Sequence, residues 1–432
     1  MTRMATLNVS PDYRGEHFQE FCGDIFGALY RADQRRAGET YLHGLLNCPG
    51  RKSVRRMATT TPGGHSEQSL QQFVNQSPWD YGPIRQRLMR RLVKALPPVA
   101  WVIEEVAFPK HGRYSAAVER QYVQALEKVC NCQLAITVTL TAERFSVPVN
   151  WRLVIPESWG EDAERRARVR MPDHERLRPY WHYQVEVLDD MALDWGMPPA
   201  PVLVDTRQLA APDALLAALE DRGLPYLAQV SGSLCVQYDK PARQPGTSAA
   251  HGGAALSWRG SVGDLVRRAV TMVRTTVGWQ DADEDVFRRS QFLQVPVRSP
   301  TPDGAAVRAV VPPPARRLVA EWPLSRPQPR GYWITNITDR PLADLVALAK
   351  LRQRVGPRIK RFADQFGLRD YEGRTFAGWH HHVTLATAAH IFDVLNQLRD
   401  EARYYGAEQA RYDTGVTSIA PVIRGRDRPA AA

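Results

Sequence analysis

Apolar residues recur three and four positions apart in FQEFCGDIFGALY (18–30) and in RQRLMRRLVKAL (85–96), so both segments are expected to be helical. The second carries a basic face, and the basic run GRKSVRRM (50–57) lies between them. At Pro97 the pattern changes. AWVIEEVAFP (100–109) is a short apolar run interrupted by two acids, and it reads as a buried strand that delivers carboxylates. CQLAITVTLTAE and FSVPVNWRLVIP continue with β-branched residues and complete an expected three-strand meander. ERRARVRMPDHERLRPYWHYQVEVLDDMALDWG reads as a helical crossover, and PVLVDTRQL as a short buried strand ending at Asp205.

From 206 to 340 the signals are short strands: YLAQVS, SLCVQYD, FLQVPVRS, AVRAVVP, RRLVAEWPL and GYWITNI. The Gly-, Ser-, Ala- and Pro-rich stretch 241–257 is expected to be a flexible surface loop. Helical spacing returns in PLADLVALAKLRQRV, IKRFADQF and HHHVTLATAAHIFDVLNQLRDEARYY. The expected organisation is a basic helical region (1–96), an α/β core (97–205), a mainly β insertion (206–340), C-terminal helices that complete the core (341–420) and a disordered basic tail (421–432).

A net charge of +11 over 432 residues favours a polyanionic partner, most often nucleic acid. Arg51, Lys52, Arg55 and Arg56, with Lys110 and Arg113 after the first strand, are the candidates for contact with DNA phosphates; the alternative for each is a solvated face. No run of eighteen apolar residues and no apolar leader is present, which points away from a membrane and towards the cytoplasm, in association with the nucleoid if DNA is the partner. Five scattered cysteines suit reduced thiols, and Cys130 and Cys132 have no second pair with which to hold zinc.

Several collinear stretches between about 40 and 395 carry a resemblance. YLHGLLNCPGRKSVRRMA, WVIEEVAFPKHGRYSAAVERQY, PVLVDTRQL, GYWITNITDRPLADLVALAKLRQRV and FGLRDYEGRTFAGWHHHVTLATAAHIF resemble the bacterial insertion-sequence transposases of the DDE superfamily. The resemblance implies a ribonuclease-H-like mixed sheet flanked by helices, DNA as partner, a possible homodimer, and three carboxylates that hold two Mg²⁺ or Mn²⁺ ions. It places the first acid at Glu104, with Glu105 and Val106 where the family has Asp and Thr. Glutamate moves the carboxylate outward by about 1.5 Å, and a misplacement near 1 Å can cost about 100-fold in rate. The second acid falls on Asp205, followed by Thr206, Arg207 and Gln208. Arg207 competes with a metal if it folds inward and is inert if it points to solvent. The third acid, a helical glutamate, falls on Gly356, and Pro357 follows it in a pattern that breaks or kinks a helix. The acids downstream, Asp364, Asp370 and Glu372, lie too far along the chain to replace it easily. The expectation is a DNA-binding protein without cleavage activity and without a bound cofactor, acting as a regulator or accessory factor. The alternatives are an active transposase using Mg²⁺ or Mn²⁺, and a fold recruited to a role without DNA. His380, His381, His382 and His390 are expected to serve structure or phosphate contact rather than zinc.

Overall fold

The computed structural model describes residues 15–61, 65–123, 126–239, 257–269, 272–281, 286–300 and 315–415. Most of the segment 241–257, the run AVRAVVP and the tail 421–432 lie outside them. Five helices open the chain: α1 (Glu16–Phe26), α2 (Ala32–Asn47), α3 (Val54–Thr60), α4 (Glu67–Asn75) and α5 (Gly82–Ala95). Four strands follow: β1 (Ala100–Pro109), β2 (Glu119–Val123), β3 (Lys128–Thr141) and β4 (Ser146–Leu153). Helices α6 (Ala163–Arg168) and α7 (Tyr180–Asp189) cross over to β5 (Val202–Asp205), and α8 (Pro212–Asp221) crosses over to β6 (Tyr226–Val230). Next come β7 (Cys235–Asp239), β8 (Ser257–Ser261), α9 (Val262–Arg268), β9 (Thr275–Gln280), β10 (Phe287–Val297), β11 (Arg316–Pro323) and β12 (Gly331–Thr335). The chain closes on α10 (Leu342–Gln353), α11 (Val355–Phe366) and α12 (Phe376–Gly415).

Strands β4-β3-β1-β5-β6 lie side by side, antiparallel at β4–β3 and β3–β1 and parallel at β1–β5 and β5–β6. That is the order and polarity of the ribonuclease-H-like core. The parallel joints require crossovers, which α7 and α8 supply. Beyond β6 the sheet continues through β12, β11, β10 and β9, all antiparallel, into ten strands with β2 on the edge of β3. The strand-rich segment after Asp205 therefore extends the core sheet, and its first strand, β6, is a member of the core itself. Only β7 and β8 form a separate pair among the described strands.

Helix α12 has no polar face between Trp379 and Leu395: nearly every residue there is buried. Such a helix must be central, and α12 packs against α2, α4, α5, α11 and β4. Its consecutive histidines point in three directions, about 100° apart. His380 meets Arg85 on α5, His381 bonds the carbonyls of Val74 and Trp79 and stacks on the Trp79 ring at 3.7 Å, and His382 lies between the Tyr41 hydroxyl and the Gly367 carbonyl. His390 stacks on Phe362 at 4.7 Å. His380, His381 and His382 are enclosed by protein and present no surface to a phosphate, whereas His390 is partly exposed beside Arg358 and Arg361.

Arg85 joins three elements from a position that is 2% exposed. It donates to Thr384 Oγ1 (2.8 Å), Asn150 Oδ1 (3.1 Å), the Trp151 carbonyl (2.8 Å) and His380 Nδ1 (3.2 Å). Burial lowers its pKa to about 10, still high enough to keep it charged at neutral pH. Arg85→Met keeps the stem but leaves these acceptors facing apolar atoms. At about 1–3 kcal/mol per buried group left unpaired, a loss of about 2–5 kcal/mol is expected. Urea unfolding checks it, and an unchanged midpoint would mean that the cluster contributes nothing net.

Candidate active site

Strand β1 is buried, and neighbouring residues on it face opposite sides of the sheet. Glu104 and Glu105 therefore part company. Glu104 turns towards α10, where Arg352 Nη2 lies 3.1 Å from its Oε1. Glu105 turns towards α7 and accepts a 2.5 Å hydrogen bond from the Tyr180 hydroxyl. The parallel register pairs Trp101 with Val202 and Val102 with Leu203. The same offset, carried to the end of β5, brings Glu104 alongside Asp205. One guanidinium spans the two carboxylates, since Arg352 Nη1 is 3.5 Å from Asp205 Oδ2.

Asp205 has a second cation. Arg207 folds back onto it, with Nε at 3.0 Å from Oδ1, Nη2 at 2.6 Å from Oδ2, and its backbone N–H at 3.0 Å from Oδ1. Of the two orientations open to Arg207 from sequence, the inward one is present. Burial raises the Asp205 pKa, but the Arg207 hydrogen bonds and the nearby Arg352 outweigh it and hold the carboxyl below its ordinary value. At Glu104 the balance goes the other way: burial dominates, Arg352 opposes it, and the Asp205 charge adds to it, so the pKa is raised. Burial also raises Glu105, in spite of the bond from Tyr180.

The chain breaks between α10 and α11 at Arg354, so Gly356 and Pro357 occupy the first turn of α11. Proline is tolerated there because a first-turn N–H has no helical acceptor to lose. A Cβ built on Gly356 would meet nothing within 4 Å, so the position has room for a side chain and carries none. The downstream acids are committed elsewhere: Asp370 accepts from the Lys52 backbone N–H at 2.8 Å, and Glu372 pairs with Arg51 at 2.7 Å. Asp364 is exposed on α11.

As arranged, this site does not suit a divalent ion. A magnesium centre needs several oxygens free to point at one place. Here Asp205 accepts from Arg207 at both oxygens, Arg352 is ion-paired with Glu104 Oε1 and Asp205 Oδ2, and two cations already balance two anions. Among the described residues, no group of three or more His, Cys, Asp or Glu side chains is placed to hold a metal.

The six basic residues singled out from sequence differ in exposure. Arg55, Arg56 and Arg113 are exposed. Arg51 is exposed but paired with Glu372. Lys52 is a correction: it is 6% exposed, its ammonium is bonded to the Cys48 carbonyl, and its stem packs against Gly367. Gly367 ends α11 with φ +65, a conformation glycine adopts without strain, and any side chain there would collide with Lys52. Lys110 is half-buried with Nζ 2.6 Å from the Tyr371 carbonyl, and burial lowers its pKa to about 8. Arg352 was missed as a site residue. It stands in the last turn of α10 while Gly356 opens α11, so the four-residue spacing does not place the two on one helix face. No helix among the described residues is long and apolar enough to cross a membrane.

The sequence matches the family described as DDE superfamily endonuclease over residues 24–284, a span that contains Glu104 and Asp205 and ends before position 356. It is also similar to the probable transposase for insertion sequence element IS701 of Microchaete diplosiphon, 24% identical over 201 residues. The similarity covers 46% of this chain and 49% of that protein, so the chain spans about half the length of the curated relative it matches.

Proposed function

The chain belongs to the DDE superfamily of endonucleases, and from that membership we propose that it is a transposase-like DNA-binding protein that no longer cuts DNA and acts as a regulator or accessory factor. The observation that carries this reading is the single guanidinium of Arg352 set between Glu104 and Asp205, where the two-metal reaction of the family needs cations of a different kind. Arg207 strengthens it by donating to both carboxylate oxygens of Asp205. The missing side chain at Gly356 removes the third ligand that the resemblance requires. Glu104 and Asp205 are then remnants: they hold Arg352 and with it the end of α10 against the sheet. DNA affinity would come from the exposed arginines, Arg55, Arg56 and Arg113 among them, and from the net charge of +11.

Immunoprecipitation of the tagged protein from its own cells, with sequencing of the recovered DNA, supplies the substrate for a direct test. Duplexes from the enriched loci are expected to bind, with affinity falling steeply as salt rises. They are expected to stay intact for hours with Mg²⁺ or Mn²⁺. Nicking that requires the metal and disappears in Asp205→Ala would make the protein an active transposase with unusual ligands. No DNA enriched in cells and none bound at low salt would point to a role without DNA.

A further inference from the structure

The far end of the extended sheet holds a second concentration of charge, remote in sequence from the acid pair. A cavity of about 470 Å³ opens where β9, β10 and the β11–β12 connection meet. Its lining includes Trp279, Arg288, Arg289, Ser290, Arg326 and Arg330, and no lining residue is acidic. Four arginines thus contribute to one lining. Arg288 is paired with Asp281 at 2.6 Å. Asp283, Glu284 and Asp285, between β9 and β10 in sequence, lie outside the described residues.

The acid beneath the cavity is already committed. Glu321 on β11 is fully buried and receives Lys350 Nζ at 2.7 Å and 2.6 Å and the Ser290 hydroxyl at 2.9 Å. Ser290 also lies 3.3 Å from the indole N–H of Trp279, and Lys350 sits 4.0 Å over the Trp279 ring. The floor is therefore a fixed and satisfied network of Trp279, Ser290, Glu321 and Lys350. It holds the indole at the base of the cavity, and its own carboxylate, Glu321, is taken up by Lys350 and Ser290. Around Lys350, Arg330 and Asp281 act in opposite senses, so the charge beneath the cavity is balanced and, among the described residues, the unpaired arginines are those of its rim.

We propose that this cavity is a phosphate-binding site, with Arg289, Arg326 and Arg330 as the principal donors and Trp279 as its apolar base. Guanidiniums match phosphate oxygens two at a time, which a lysine ammonium does not. The volume lies within the usual range for small-ligand pockets, so the phosphate can be a free one, as in pyrophosphate or a nucleotide, or one of a DNA strand. The site stands apart from the question of cleavage. It touches the acid pair only through α10, which carries Lys350 to the cavity floor and Arg352 to Glu104.

The test is calorimetric titration of the full-length protein with pyrophosphate and, separately, with a twelve-base-pair duplex, each against an R289A/R326A double variant. Both arginines are exposed, so the variant is expected to keep the wild-type melting temperature. Its affinity is expected to fall about tenfold or more for each charge-assisted pair lost. Loss for pyrophosphate identifies a free phosphate or nucleotide as the source. Loss for the duplex alone identifies the DNA strand. Equal affinity of wild type and variant for both probes overturns the proposal, and in that case duplex binding retained by the variant would leave the DNA-binding reading intact.

Discussion

Acidification from pH 7 to pH 5 is expected to remove a large share of the folding stability of this protein, through the histidines of α12. Burial holds His381 and His382 at a pKa of about 4 and His390 at about 3. His380 is lowered well below its ordinary value by burial, with Arg85 and Arg152 adding to it. In the unfolded chain each returns to about 6.5. Between pH 6.5 and about 4 the unfolded state therefore binds protons that the native state does not, and stability rises with pH across that window. It is complete above pH 6.5 and falls as the pH drops. At pH 5 His382 and His390 each cost about 2 kcal/mol, or about 4 kcal/mol together, against the roughly 5–15 kcal/mol that folded domains possess. His381 adds less, because both of its ring nitrogens face carbonyl oxygens, which favours the protonated ring. Glu104 and Glu105 work in the opposite sense, because their raised values make protonation favour the native state as pH falls. The measurement is the urea midpoint at pH 8, 7, 6 and 5. His390→Phe provides the control: His390 stacks on Phe362, and its Nδ1 has no hydrogen-bond partner, so a phenyl ring there removes one titrating group and little else. A midpoint independent of pH in the wild type, or an unaltered slope in His390→Phe, would refute this account.

The same residues show where sequence reading succeeds and where it stops. HHHVTLATAAHIF announced a helix, but nothing in its spacing told a ligand cluster from a core. That distinction depends on Val74, Trp79, Tyr41 and Gly367, up to 341 positions away in the chain. Strand identity was easier to read. The apolar runs at β1, β3, β4 and β5 are local signals, and the resemblance supplied the order in which they pair. ERQYV, which forms β2, and DALLAALE, within α8, passed unread because one is short and charged and the other sits in a region dominated by β signals. The extent of the sheet was hidden for a different reason. That β12 adds to β6 is a fact about pairing between strands a hundred residues apart, and periodicity carries no information on it. At the acid pair, the resemblance pointed to Glu104, Asp205 and Gly356, and the pairing of β1 with β5 is what sets the two acids side by side. Sequence left open whether Arg207 turns inward, and it offered no hint that Arg352 would reach both carboxylates, because an arginine on a helix is by default a surface residue. Lys52 is the converse error: a basic run suggested exposure, whereas its stem fills the space left by Gly367.

Removing the charge of Lys350 is expected to destabilise the protein by about 3–5 kcal/mol, because it strands a carboxylate that has no access to water. Glu321 is fully buried, and both of its oxygens lie within hydrogen-bond distance of Lys350 Nζ. In Lys350→Met only the Ser290 hydroxyl remains as a donor to it. One neutral donor does not replace an ammonium at that depth, so the carboxyl must either take up a proton or draw in water. Glu321→Leu alone should be costly for the matching reason, since it leaves Lys350 with the Trp279 ring as its main partner. The double variant is the informative one. An apolar pair of similar volume can equal or exceed a buried ion pair, because neither group then needs to be stripped of water. Glu321→Leu with Lys350→Met should therefore recover most of what either single change loses, with a coupling of a few kcal/mol in the cycle. Additive losses would mean that the pair is wetter than its burial implies. If the double variant folds well yet binds phosphate poorly, the ion pair is retained in this fold to hold Trp279 and the arginine-lined cavity in place, at a site where a purely apolar contact would have served stability equally well.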